Sequence, residues 1–205
     1  QREMTVKCGQ KCTAIRRISV SEKLVEDVQI ALGQRLAKTV IGDRSQEGVR
    51  MGSLAGQEQV KEVTTRVNQL AESQEIVYGS LSDFEVTGAD KNKGAFFSPI
   101  LFLNDDPFNK TDVHNLEAFG PVSTIMPYKT IDEAIELAKL GKGSLVCSIV
   151  TADNSIAKEF VLGAAALHGR ILVLNADCAK ESTGHGSPMP LLTHGGPGRA
   201  GGGEE

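Results

Sequence analysis

The sequence predicts an α/β fold, a mainly parallel sheet flanked by helices. Three observations predict it. Stretches with apolar residues at helical spacing alternate with short Val/Ile/Leu-rich runs. Helix-start chemistry stands before two of the amphipathic stretches. The composition, 40% hydrophobic and 23% charged over 205 residues, suits one sizeable domain.

Taken in order, "AIRRISVSE" (14–22) reads as a short strand. "KLVEDVQIALGQRLAKTV" (23–40) sets Leu24, Val28, Ala31, Leu32 and Leu36 at helical spacing. "GQEQVKEVTTRVNQLAES" (56–73) is a second amphipathic helix, with Val60, Val63, Val67 and Leu70 on one face, and "EIVYG" (75–79) is a strand. After an exposed loop around "DFEVTGADKNKG", strands fall on "AFFSPILFLN" (95–104) and "PVSTIMPYK" (121–129). The remainder reads helix (130–141), strand (143–152), helix (155–168), strand (169–175). Right-handed crossovers place the helices on the sheet faces. Thr130 with Glu133 forms a capping-box pattern, Asp153 and Asn154 offer N-cap chemistry, and Gly141 and Gly169 are expected as C-caps. These assignments put one α/β domain at 1–175 and a Gly/Pro-rich loop or tail at 176–205.

Charge and hydropathy narrow the function classes. Lys and Arg total 22 against 26 Asp and Glu, and no basic stripe is visible, so no nucleic-acid partner is expected. No apolar run approaches the roughly 18 residues a span needs, so no membrane partner is expected either. Gln1 follows no methionine and the chain stops in "GGPGRAGGGEE"; the expectation is a piece of a longer polypeptide. Cys8, Cys12, Cys147 and Cys178 lack the spacing of a disulfide framework, which points to a reducing, cytoplasmic setting. Cys147, in "SLVCSIV", reads as core packing in a buried strand, and Cys178 falls in a loop.

Two apparent motifs fail on context. Gly196, Gly198 and Gly201 spell a G-x-G-x-x-G, but two prolines precede it and no helix opens after it, so loop glycines are expected. No metal site is expected: no Cys or His lies close enough to Cys8 and Cys12 to complete a four-ligand set, and His185 and His194 lack matching partners. In "KCGQKCTAIRR" (7–17) both cysteines have basic neighbours that favour a thiolate, and they could share a helix face. Local charge alone does not separate them.

The motif "GQKC", followed by a small residue and an arginine before a strand, resembles the nucleophile segment of the aldehyde dehydrogenase superfamily. "EAFGPV" (117–122) resembles that family's E-x-F-G-P segment. "GAFFSPILF" (94–102) and "GRILVLN" (169–175) resemble two further segments, in the family's order. The resemblance puts the nucleophile on Cys12, with Gly9 and Gln10 as motif partners, and gives Cys8 no role. It implies that Glu117 hydrogen-bonds a cofactor ribose, that Phe119 packs at the nicotinamide end, and that Asn175 orients loops. The implied cofactor is NADP or NAD, bound mainly by a domain upstream of this chain. The general-base glutamate and a second oxyanion donor are implied to lie upstream as well, so the isolated segment is expected to be inactive. The tail departs from the family's usual ending. With "AKESTGHGSP" it resembles the dehydrogenase half of bifunctional ring-opening enzymes of bacterial phenylacetate degradation. That branch implies a CoA-linked semialdehyde substrate, a homo-oligomer and a fused hydratase. A CoA-acylating dehydrogenase or acyltransferase using the same cysteine, and a non-catalytic interaction domain, are the alternative readings.

Overall fold

In the computed structural model, residues 1–187, 191 and 194–201 are described, and the chain divides into two compact units, Gln1–Pro127 and Tyr128–Glu205. The first unit begins with a one-turn helix α1 (Arg2–Thr5) and a 3-10 turn (Val6–Gly9), then strand β1 (Arg17–Ser21) and helix α2 (Val25–Ala37). Helix α3 (Gln57–Ala71) and strands β2 (Glu75–Tyr78) and β3 (Ile100–Leu103) follow. The short helix α4 (Asp112–Asn115) then leads to strand β4 (Val122–Tyr128).

These strands form one sheet in the order β1-β4-β3-β2. Strands β3 and β4 are parallel, while β2 and β3 are antiparallel. The difference follows from the connections. The chain between β3 and β4 includes α4, whereas the one from β2 to β3 carries no helix and returns along the neighbouring edge. The predicted α/β class stands, with this antiparallel pair as a local departure from a parallel sheet.

Alternation along β3 organises two cores. Ile100 and Phe102 join Val63, Val67 and Leu70 of α3 in one cluster. Leu101 joins Leu36 of α2, Val20 and Ile125 in the other, with Leu103 packed against it. A period of two in the strand therefore presents apolar side chains to both faces, and the apolar helical stripes cover them. Both β3 faces are closed, with Ile100, Leu101 and Phe102 each 0% exposed.

The second unit contains helix α5 (Ile131–Lys139), strand β5 (Cys147–Val150), helix α6 (Asn154–Ala164) and strand β6 (Ile171–Leu174). Strands β5 and β6 pair in parallel across α6, as a crossover connection requires. Ile135, Phe160 and Ala164 form its core, with Cys147, Ile149 and Ile171 packed against it. Cys147 packs against this core as expected, but it is half-buried and β5 is not the buried strand the sequence suggests, its end at Val150 being exposed.

The predicted N-caps are present. Asp153 Oδ1 accepts from the Ser155 and Ile156 amides at 2.7 and 3.3 Å. Thr130 Oγ1 accepts from the Glu133 amide at 3.3 Å; Glu133 reaches back to the amide of Lys129, one residue before the cap. The glycine C-caps are not. Helix α5 is capped by Leu140 and the turn becomes left-handed at Lys142 and Gly143 instead. Gly169 follows a 3-10 turn, where a Cβ would lie 1.8 Å from the Gly195 carbonyl oxygen, so close backbone approach explains this glycine. Gly198–Ala200 form a single 3-10 turn whose Arg199 amide donates to the Lys142 carbonyl. The tail segment 188–190, 192–193 and 202–205 lies outside the described residues.

Candidate active site

The stretch 7–17 does not form one helix. Helix α1 ends at Thr5, and Lys7 and Cys8 adopt left-handed backbone angles, φ 53° and 54°. Gly9 continues in the same region at φ 69°. Left-handed non-glycine residues are costly, and consecutive ones turn the chain sharply enough to separate the two cysteines. Cys8 points into the α3-side core at 2% exposure, whereas Cys12 stands exposed on the following turn. The shared helix face open to the sequence does not exist. Burial pushes the Cys8 thiol up to about 12, which suppresses its thiolate at neutral pH.

Each motif residue around Cys12 has a physical task in the fold. Gly9 sits against the second motif: a Cβ there would lie 2.1 Å from the Gly120 carbonyl oxygen and 2.5 Å from the Pro121 nitrogen. Only glycine combines that contact with a positive φ. The Gln10 side chain accepts from the Ala55 amide at 2.7 Å, anchoring the turn to the segment before α3. Past Cys12, the Ser123 hydroxyl donates to the Ile15 carbonyl and the Thr124 amide to the Arg16 carbonyl. Strand β4 therefore fixes the exit of the loop as Gly120 fixes its entry.

The E-x-F-G-P segment immediately before β4 presents Glu117 and Phe119 to solvent, while Ala118 between them is buried. Phe119 is 41% exposed, unusual for an aromatic residue beside a core. Arg16 reaches both: its Nε lies 3.0 Å from Glu117 Oε1 and its guanidinium lies over the Phe119 ring at 5.2 Å. Thus the segment carrying Gly9, Gln10 and Cys12 meets the segment carrying Glu117 and Phe119 within the first unit, through the Gly9–Gly120 approach and the Arg16 side chain. Asn175 belongs to the second unit, where its Oδ1 accepts from the Asp177 and Cys178 amides and closes a turn after β6. Among the described residues, no group of three or more His, Cys, Asp or Glu is arranged to hold a metal ion, and no helix is long and apolar enough to cross a membrane.

Fold and site together define an α/β domain carrying an exposed thiol on the turn after a strained one, in a loop that meets the segment of a carboxylate–aromatic pair. The chain belongs to the aldehyde dehydrogenase family, whose model matches residues 1–175. It is 41% identical over 196 residues to a 3,4-dehydroadipyl-CoA semialdehyde dehydrogenase of Aromatoleum evansii, covering 96% of this chain and 38% of that protein. It is 49% identical over 156 residues to Protein MaoC of Klebsiella aerogenes, covering 76% of this chain and 45% of that protein. Among solved structures, a betaine aldehyde dehydrogenase of Staphylococcus aureus in complex with NAD+ superposes with TM-score 0.75 at 25% identity. That match covers 84% of this chain and 33% of the structure's chain. The chain therefore spans less than half the length of these relatives.

Proposed function

We propose that this chain is the nucleophile-bearing portion of an NAD(P)-dependent semialdehyde dehydrogenase acting on a CoA-linked aldehyde in phenylacetate breakdown. The observation that supports the reading is the seating of Gly9 on Gly120 and Pro121, which brings the GQKC and E-x-F-G-P segments into contact. The A. evansii relative, named for a CoA semialdehyde, supports the substrate class.

The site's residues suit the cofactor. An exposed carboxylate can accept from a ribose diol, and an exposed ring beside it can pack on a flat heterocycle. Glu117 and Phe119 would hold the nicotinamide end, whose chemistry when bound is to accept a hydride. The chain's own contribution centres on Cys12. Its Sγ attacks the aldehyde carbon, the C–S bond forms and the carbonyl electrons move to oxygen, giving a thiohemiacetal. The Cys12 backbone N–H would donate to that oxyanion; such a donor contributes about 2.7–4 kcal/mol. Loss of hydride from the same carbon restores the carbonyl as a thioester. Water then adds, the C–S bond breaks, and the thiolate returns with release of a carboxylic acid. The general base would come from outside this chain, in a longer polypeptide that supplies most of the cofactor site. A homo-oligomeric, cytoplasmic enzyme completes the proposal.

The test is reduced-nucleotide formation by the longer gene product with free and CoA-linked semialdehydes, using NADP and NAD in parallel, with and without added CoA. Fastest turnover on a CoA-linked semialdehyde, yielding free acid without added CoA, is the expected result. Product formation that requires free CoA would replace hydrolysis with acylation. No oxidation of any aldehyde would contradict the proposal.

A further inference from the structure

The two arginines that end the Cys12 loop go to different places. Arg17 Nη1 lies 3.3 Å from Nδ1 of buried His114, away from the motifs. Arg16 turns back over the loop. Its Nη1 donates to the Ala14 carbonyl at 3.1 Å and its Nη2 to the Lys11 carbonyl at 3.2 Å, backbone positions on either side of Cys12. The same guanidinium meets Glu117 through Nε and Phe119 through its flat face. One rigid fork therefore hydrogen-bonds the backbone around Cys12 with its terminal nitrogens and meets the E-x-F-G-P segment through an ion pair at Nε and through its flat face. A lysine, with a point charge and no planar face, cannot reproduce that set. Stability alone is a poor account of the arrangement, because the Glu117 side chain is 45% exposed and such pairs add little.

We propose that Arg16 is a positioning residue that couples the turn carrying Cys12 to Glu117 and Phe119. Whatever engages the Glu117 carboxylate then changes the order of that turn. The inference deepens the proposed function and rests on its reading of Cys12 as nucleophile and of Glu117 and Phe119 as the cofactor-facing pair. A ribose diol arriving at Glu117 would draw on the same carboxylate that steadies Arg16. Engagement of the Glu117 carboxylate would be felt at the backbone around Cys12 through Arg16.

Hydrogen exchange read by mass spectrometry on the longer gene product tests the coupling, for wild type, R16A, R16K, E117A and R16A/E117A. The loop has protection to lose: the Lys11, Ala14 and Ile15 amides donate to the carbonyls of Gly9, Lys11 and Glu3. Residues 10–16 should exchange about fivefold faster or more in R16A and R16K, and about threefold faster in E117A. The double variant should match R16A, because Glu117 acts through Arg16. Peptides from β3 and from β5–β6 should be unchanged, which global destabilisation would not permit. Loop exchange in R16A within about twofold of wild type, or strictly additive effects in the double variant, would overturn the coupling. Should R16A fail to fold, E117A decides alone, since its side chain is exposed; wild-type loop exchange there overturns the proposal. Iodoacetamide labelling of the same samples reads the nucleophile assignment separately. Cys12 labelling no faster than Cys178 would remove that assignment while the exchange result still stands for the coupling.

Discussion

Gly9 and Gly120 touch backbone to backbone, and a single added carbon at Gly9 would fall 2.1 Å from the Gly120 carbonyl oxygen. The contact joins two motifs more than a hundred positions apart and makes them one site. Gly9→Ala faces both that clash and a φ of 69°, so the variant should lose at least about 2 kcal/mol of unfolding free energy. Urea denaturation gives the value. A wild-type midpoint would mean that the loop has room to shift and that the two motifs are not locked together.

The two cysteines of the loop should differ sharply in reactivity. With its thiol pushed up to about 12, Cys8 holds about one part in ten thousand as thiolate at pH 8, and it is buried as well. Timed alkylation with peptide mass spectrometry should therefore modify Cys12 while Cys8 stays intact until the chain unfolds. Modification of Cys8 at a comparable rate in the folded state would reverse the assignment of roles.

His114 makes the first unit sensitive to mild acid. Burial is the main reason its imidazole titrates below the ordinary value of 6.5, and the nearby Arg17 charge acts in the same direction. The Pro107 carbonyl, 2.7 Å from Nε2, opposes them by favouring the protonated ring. Because the folded form binds this proton less readily than the unfolded one, stability is full above the ordinary histidine value. It is lost as pH falls below 6.5 toward the folded value. Urea midpoints should drop between pH 7.5 and 5.5, and His114→Gln should flatten that part of the difference. An unchanged slope in the variant would place the sensitivity elsewhere.

The Asp153 cap offers a local check on the second unit. Asp153→Ala removes the acceptor for two amides at the start of α6 and should cost about 1 kcal/mol. Asp153→Ser should recover most of it, read by thermal unfolding.

Much of this fold was legible because periodicity reports burial. The Val63, Val67 and Leu70 stripe of α3 is legible as a helix face and 95–104 as strand-forming, and the structure buries that stripe together with Ile100, Leu101 and Phe102 of the shorter strand β3. Sheet direction was less legible, since pattern does not say which neighbour a strand chooses; only the lack of a helix between β2 and β3 hints at their antiparallel pairing. Gly141 illustrates a different failure. Glycine after a helix suggests a left-handed cap, yet here Lys142 and Gly143 take that conformation, and the tail packs on Gly143. The site was legible as motif spelling, whereas its mechanics were not. Nothing in "KCGQKC" announces that Lys7 and Cys8 are left-handed, because non-glycine residues adopt that region only under tertiary constraint. The single clue to Arg16 is its place in the motif; that it reaches Glu117 rather than His114, as Arg17 does, depends on the path of the folded loop.

The central claim is that Cys12 carries the acyl group. Its most direct test is acid quench of the longer gene product during turnover of a CoA-linked semialdehyde with NADP, followed by peptide mass spectrometry. A thioester adduct on the peptide containing Cys12, absent in Cys12→Ser and absent without nucleotide, is the predicted result. An adduct on Cys8 or Cys178, or steady turnover by Cys12→Ser, would contradict the account.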